Sequence, residues 1–285
     1  MPIDCYLTGT MKSKKSSKTF FALLAGMGVL IAVAVAWAQR YPAPPSIDRR
    51  GVPEWELDNE MPRDVFTFVR IRYGSYNARG RKWATDYPDA ELNLSYRLQE
   101  MTSLKVHPEG KVIELTDPEL FDYPFIYIIE PGDLWFSEDE VKALRKYLLN
   151  GGFLLVDDFW GGDEYDNFTF EMKRVFPDRK PKELPLEHPV FHSVFDLKEK
   201  PQLPSIGQAM NGMNFEWRPG PDDGSEVHYQ GLFDDKNRMM AIICHNTDLG
   251  DGWEREGENQ YYFRNFSEPK AYPMGINIIF YAMTH

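Results

Sequence analysis

The chain has 285 residues, with 32 basic and 44 acidic side chains, a formal charge of −12 and 42% hydrophobic residues. Such a surface repels nucleic acid and anionic lipid headgroups, and a chain of this length buries a sufficient core without metals or crosslinks. Its two cysteines, Cys5 and Cys244, fall in different regions, so no disulfide framework organises the fold.

Lys12, Lys14, Lys15 and Lys18 precede an uncharged run from Phe20 to Ala38 that ends in Ala36-Trp37-Ala38. That is the layout of a secretory signal, while the run's 19 residues also match a helix crossing about 30 Å of hydrocarbon. A cleaved signal and a retained transmembrane helix both fit, and Met11 offers an alternative start. In either case the lysines stay on the cytoplasmic side and the rest faces outward, in the periplasm or on the outer face of the inner membrane. Without residues 1–38 the chain keeps 28 basic and 43 acidic side chains, a balance of −15. The stretch from Tyr41 to Pro62, rich in proline and charge, reads as a tether. The expected plan is therefore a signal or anchor over 1–38, a linker over 39–63 and an α/β domain over 64–285.

Within the domain, Val65 to Tyr73 is rich in β-branched and aromatic residues and reads as the first strand. A polar loop, Gly74 to Tyr87, follows. Pro88 suits a first helical position, and Ala90, Leu94, Leu98 and Met101 share one helical face. A short strand is expected at Lys111 to Leu115. Phe125 to Ile129 is a continuous apolar run suited to a strand buried on both faces. Ser137 and Glu140 form a capping-box pair ahead of the stripe Val141, Leu144 and Leu148, Gly151 stops that helix, and Phe153 to Val156 is a second buried strand. Strand, helix, strand at this spacing implies a parallel pair with a right-handed crossover. Prolines at 181, 185, 189, 201 and 204 exclude long elements there. Glu226 to Phe233 and Arg238 to His245 flank a turn and read as a hairpin; Tyr272 to Met283 reads as a buried closing helix. The sum is an open, mostly parallel sheet with flanking helices.

The motifs Trp83-Ala-Thr-Asp86-Tyr-Pro, Leu148-Leu-Asn-Gly-Gly-Phe-Leu-Leu-Val-Asp-Asp158, His188-Pro-Val-Phe-His192, His245-Asn-Thr-Asp248-Leu-Gly-Asp-Gly-Trp-Glu254 and Gly275-Ile-Asn-Ile-Ile-Phe-Tyr281 together resemble the bacterial family called domain of unknown function 4159. The resemblance covers nearly all of residues 64–285. It implies a flavodoxin-like sheet similar to the class I glutamine amidotransferases, and relatives fused to membrane-anchored modules; it implies no reaction.

An amidotransferase places a cysteine nucleophile on a sharp strand-to-helix turn. The matching turn here, Val156 to Gly162, has no Cys, Ser or Thr, so no Cys-His-Glu triad is expected. Cys244 reads as core filler. Asp157 and Asp158 end a buried strand at its C-terminal edge, where open α/β sheets bind ligands. With Asp163, Glu164 and Asp166 they form an oxygen-rich patch suited to a hard cation or an acid/base pair; the alternative is a helix cap and a solvated loop. His245, Asn246, Asp248, Asp251 and Glu254, with Trp253 beside them, lie in a glycine-containing loop that reads either as a ligand site or as a tight turn whose side chains bond their own backbone. Arg72, Arg79, Arg81, Lys82, Trp83 and Asp86 form a locally basic, aromatic segment suited to an anionic or sugar-like ligand, or to plain solvation around an anchoring Trp83. His188 and His192 have zinc-helix spacing, but Pro189 opposes a helix, and they read as shaping an irregular loop.

The preferred reading is a binding or scaffold domain of the cell envelope, partnered by other membrane-tethered proteins or a small polar ligand. The alternative is a carboxylate- or metal-dependent hydrolase or lyase acting on a carbohydrate or envelope polymer. Its catalytic candidates are Asp158, His245, Asp248 and Glu254, with Arg79, Trp83, Asp86, Asp157, Asp251 and Trp253 as ligand-binding candidates. No cofactor is expected, with a divalent cation at Asp157, Asp158 and Asp163 as the exception these carboxylates would admit. That alternative requires the 157–166 and 245–254 segments to converge.

Overall fold

The computed structural model describes residues 48–57, 64–75 and 81–285, of which all but Asp48 belong to one unit, Arg49–His285. The uncharged run 20–38, most of the expected linker and Arg79 lie outside the described residues. Among the described residues no helix is long and apolar enough to cross a membrane.

The strands are β1 (Val69–Ile71), β2 (Gly74–Ser75), β3 (Lys111–Ile113), β4 (Phe125–Ile129), β5 (Leu134–Trp135), β6 (Phe153–Asp157), β7 (Lys182–Glu183), β8 (His228–Phe233) and β9 (Met239–His245). The helices are α1 (Asp89–Met101), α2 (Glu138–Leu149), α3 (Gly161–Val175), α4 (Ile206–Met210), α5 (Leu249–Glu254), α6 (Gln260–Tyr262) and α7 (Tyr272–Thr284), with a π-helical stretch, Phe263–Ala271, joining the last two. The main sheet runs β3-β1-β4-β6-β9-β8-β7. Its first five strands are parallel, and β8 and β7 close the edge antiparallel. In chain order those five parallel strands sit second, first, third, fourth, fifth, so the order reverses between β1 and β4. All five point their C-terminal ends to one edge.

Period-two alternation within apolar strands decides the two core layers. Phe125, Tyr127 and Ile129 face the side covered by Ala90, Leu94 and Leu98 of α1 and Ile276, Ile278 and Ile279 of α7. Ile126 and Ile128 face the opposite side, where Leu144 and Leu148 of α2 and Phe168, Met172 and Val175 of α3 pack. The capping box of α2 is present, with the Ser137 hydroxyl accepting from Glu140 N and the Glu140 carboxylate accepting from Ser137 N at 2.7 Å.

Four expected segments differ. The first strand is shorter than Val65 to Tyr73, because Phe66 pairs with Val106 in an isolated bridge and the ladder to β3 begins only at Val69. The 245–254 loop contains α5, and the acidic segment after Asp158 is the start of α3 rather than a loop. Part of the stretch read as a tether packs onto the domain: the Arg49 guanidinium donates to Pro108 O at 2.7 Å and the Trp55 indole to Val106 O at 2.7 Å.

Ile128, fully buried between β4 and the α2–α3 layer, sets a direct test. Ile128→Ala is expected to lower unfolding free energy by about 2–5 kcal/mol and Ser137→Ala by about 1 kcal/mol, read from urea denaturation.

Candidate functional site

The C-terminal ends of β1, β6 and β9 deliver carboxylates to one place. Asp158 follows β6, Asp248 follows β9, and Asp86 ends the segment that returns from β1; one ligand oxygen from each lies within 4.8 Å of the others. Asp86 also belongs to a second such group with Asp251 and Glu254 of α5, under the same 4.8 Å limit. The 157–166 and 245–254 segments therefore converge. The bridge Phe159↔Thr247 joins them, Asn246 N donates to Phe159 O at 2.9 Å, and Gly161 N donates to Asn246 Oδ1 at 2.8 Å.

Charge of one sign is concentrated here, offset at the α5 end by Arg255, which pairs with Glu254 at 2.9 Å and stands 3.5 Å from Asp251. Asp86, Asp157, Asp248 and Asp251 are buried. Burial first, then the neighbouring carboxylates, pushes Asp86, Asp158 and Asp248 well above the usual carboxylate range. Burial also raises Asp251 and Glu254, with Arg255 opposing it. Among the described residues, Asp86 Oδ2 and Asp157 Oδ1 are enclosed without a hydrogen-bond donor, while Glu254 Oε2 is held by Arg255 Nη2 at 2.9 Å. An unpaired buried carboxylate costs several kcal/mol unless it takes up a proton or a cation.

The backbone is shaped to hold this arrangement. Asp86 (φ 61°) and Asp158 (φ 57°) both occupy the left-handed region, which costs a non-glycine residue about 1–3 kcal/mol. A Cβ on Gly250 would stand 2.5 Å from Asp86 Oδ2, so a glycine there lets that carboxylate approach α5. Arg70 fixes the segment before Asp86. It is buried on β1, pairs with Glu91, and donates through Nη1 to Trp83 O at 2.9 Å and Thr85 O at 2.5 Å. Asp157 faces the same region from below: its Oδ2 accepts from Gly250 N at 3.0 Å and the Tyr127 hydroxyl at 3.3 Å. The Asp248 side chain caps α5, accepting from Asp251 N at 2.7 Å, so the same residue serves as turn-former and as a member of the cluster.

A model of the family described as Domain of unknown function (DUF4159) matches residues 67–283. The chain belongs to that family. The match spans the whole carboxylate cluster of this DUF4159 domain. No curated protein matches the chain.

The remaining candidates are distributed elsewhere. Trp253 is fully buried, its indole donating to Ala271 O at 2.9 Å and its ring meeting Phe68 edge-on. Trp83 is half-buried against the α2–α3 core layer. Asp163 sits in the first turn of α3, and among the described residues no metal-ligand grouping includes it. The helix draws these acids away: Glu164 accepts from Trp160 N at 2.8 Å and pairs with Arg218. Lys82 pairs with Glu130, and Arg72 with Glu114. His188 accepts from Val190 N and His192 pairs with Asp196 around a single 3-10 turn. Cys244 is a buried core residue whose thiol is pushed well up by burial. His245 is adjacent in sequence to the cluster but separate in space, with Nε2 3.1 Å from Gly161 O and its ring 4.8 Å from those of Phe159 and Tyr165. Burial lowers it to about 4. Sequence reasoning missed Arg70, whose signal was a lone charge inside the apolar run Phe68-Val69-Arg70-Ile71.

These shifts set a pH dependence. Asp157, raised by burial to about 7, stabilises the folded state while protonated, so its contribution is present at low pH and lost as pH rises through 7. The depressed His245 acts oppositely, but its contribution is complete once pH exceeds the ordinary histidine value near 6.5. In chelator, the melting temperature is therefore expected to fall between pH 6.5 and 8, with Asp86, Asp158 and Asp248, raised in the same direction, adding to the fall; Asp157→Asn should reduce that fall without removing it, as scanning calorimetry at both pH values would show.

Proposed function

We propose that this domain is a divalent-cation-dependent hydrolase acting outside the cytoplasm on a carbohydrate or other oxygen-rich envelope polymer, built on a flavodoxin-like sheet similar to that of the class I glutamine amidotransferases. The order second, first, third, fourth, fifth of its parallel strands supports the flavodoxin-like reading, since such sheets bind ligands at the C-terminal edge. Asp158, at φ 57°, lies in the turn between β6 and α3, separated from the helix by Phe159 and Trp160, where such sheets carry a nucleophile elbow. A carboxylate occupies that turn, which supports cation chemistry in place of acyl transfer to a thiol.

The carrying observation is the buried Asp86 carboxyl, shared between two carboxylate groups and faced by Glu254, with no donor to its Oδ2 among the described residues. Carboxylate oxygens without nitrogen or sulfur ligands suit Mg²⁺, Mn²⁺ or Ca²⁺. Asp86, Asp158 and Asp248 would hold the ion, which when bound polarises a substrate oxygen and acidifies a water. Glu254, only partly buried and raised above the usual range by burial, is suited to hand a proton to a leaving oxygen. His245 takes no part, because its ring is enclosed and Nε2 is committed to Gly161 O.

The same enclosure of His245 favours a second reading, a cation-loaded scaffold that binds a polar ligand or a membrane-tethered partner without turnover. Thermal denaturation of the purified full chain separates these. A cation at a hundred times its Kd adds about 2.7 kcal/mol of stability, and Asp158→Asn with Asp248→Asn should abolish the resulting shift. Release of soluble fragments from purified cell-wall glycan, lost at least about a hundredfold in Asp158→Asn, assigns the hydrolase. A cation shift without release assigns the scaffold, and no shift with any of the three cations contradicts both.

A further inference from the structure

A second group of ligand atoms lies on the antiparallel side of the sheet. His228 of β8 and His245 of β9 are cross-strand partners with rings stacked 5.8 Å apart. Asp222 joins them from the preceding loop, and one ligand atom from each of the three lies within 4.8 Å of the others. Unlike the carboxylate cluster, this group combines two imidazoles with one carboxylate.

We propose that Asp222, His228 and His245 form a binding site for a transition-metal ion of the Zn²⁺ class, distinct from the carboxylate cluster. Each ligand is held by a partner of its own. Nε2 of His245 stands 3.1 Å from Gly161 O. That carbonyl accepts the Nε2 proton and so leaves Nδ1 bare, the backbone-carbonyl support that metal-bound histidines normally have. Nδ1 is 3.9 Å from Asp222 Oδ2, too far for a hydrogen bond and close to the span of an ion about 2.0–2.2 Å from each. Asp222 is anchored through its other oxygen, which accepts from Asn246 Nδ2 at 2.9 Å and Gly224 N at 3.1 Å. Glu183 of β7 stands 3.4 Å from His228 Nδ1, which assigns that nitrogen the proton and leaves Nε2 for a metal.

The chemistry selects the ion. Two imidazole nitrogens and one carboxylate suit Zn²⁺, Co²⁺ or Ni²⁺ over Mg²⁺ or Ca²⁺, and three protein ligands leave an open position. Entry is direct, since Asp222 and His228 are about one-third exposed, at 33% and 28%. A bound ion would tie the 222–226 loop to the β8–β9 hairpin, beside the turn that carries Asp158.

The test is titration of the metal-stripped full chain with Zn²⁺ against a chromophoric chelator, and with Co²⁺ followed by visible absorption. The expected result is one tight Zn²⁺ equivalent and a Co²⁺ spectrum with nitrogen ligation. His228→Ala should weaken Zn²⁺ binding at least about a hundredfold and Glu183→Gln about 10–100-fold, while the Asp158→Asn, Asp248→Asn double variant leaves it unchanged. His228→Gln repeats the reading if the alanine variant does not fold. Absence of a tight equivalent, binding indifferent to both His228 variants, or its loss in the double aspartate variant would overturn the proposal. None of these results depends on whether the carboxylate cluster hydrolyses anything.

Discussion

Repulsion among carboxylates enclosed at one sheet edge is the constraint on which the rest of this structure depends. Asp86, Asp158, Asp248, Asp251 and Glu254 come from three separate strand ends, and each is raised above the ordinary carboxylate range by burial before any other cause. Left alone, such a cluster would splay into solvent. What holds it is the rigid frame beneath: β1, β4, β6 and β9 are buried parallel strands whose ends cannot separate without breaking both core layers. Stability in the core is thus coupled to electrostatic strain at the edge, an arrangement typical of sites that await a proton or a cation.

Arg70 shows how the frame transmits position. A guanidinium buried on β1 needs partners: its Nε finds Glu91 on α1 and its Nη1 the carbonyls of Trp83 and Thr85, while Nη2 has none among the described residues. Its ring contacts with Tyr127 at 5.1 Å and Tyr87 at 5.8 Å enclose it further. Removing one partner of such a pair strands the other's charge in the core, at about 3–5 kcal/mol. The consequence for function is geometric: the two carbonyls that Arg70 fixes immediately precede Asp86, the residue shared by both carboxylate groups.

The unit from Phe125 to Asp158 was legible in the sequence because each local signal agreed. Continuous apolar runs marked strands buried on both faces, and Ser137 with Glu140 marked the helix start; the structure reproduces the strands, the cap and the parallel pairing. The hairpin and the closing helix were equally readable. The site was half legible. Its acids were singled out segment by segment, but their convergence depends on the register of β6 against β9 and on the return of the chain from β1, which no local pattern encodes. His245 and Asp248 illustrate the limit. Only two residues separate them, yet the left-handed turn at Asn246, φ 59°, sends Asp248 to the carboxylates and leaves His245 facing β8. Asp163 shows the reverse error, where an acid beside the site in sequence is carried away once α3 begins at Gly161.

On the reading proposed above, the edge carboxylates hold a hard cation. The most direct measurement is an anomalous difference map from crystals of the protein soaked in Mn²⁺. The expected result is a peak about 2.0–2.6 Å from carboxylate oxygens of Asp86, Asp158 and Asp248, the range of hard-cation bonds to oxygen. Saturating Mn²⁺ with no peak there, and the carboxylates paired through shared protons, would contradict it.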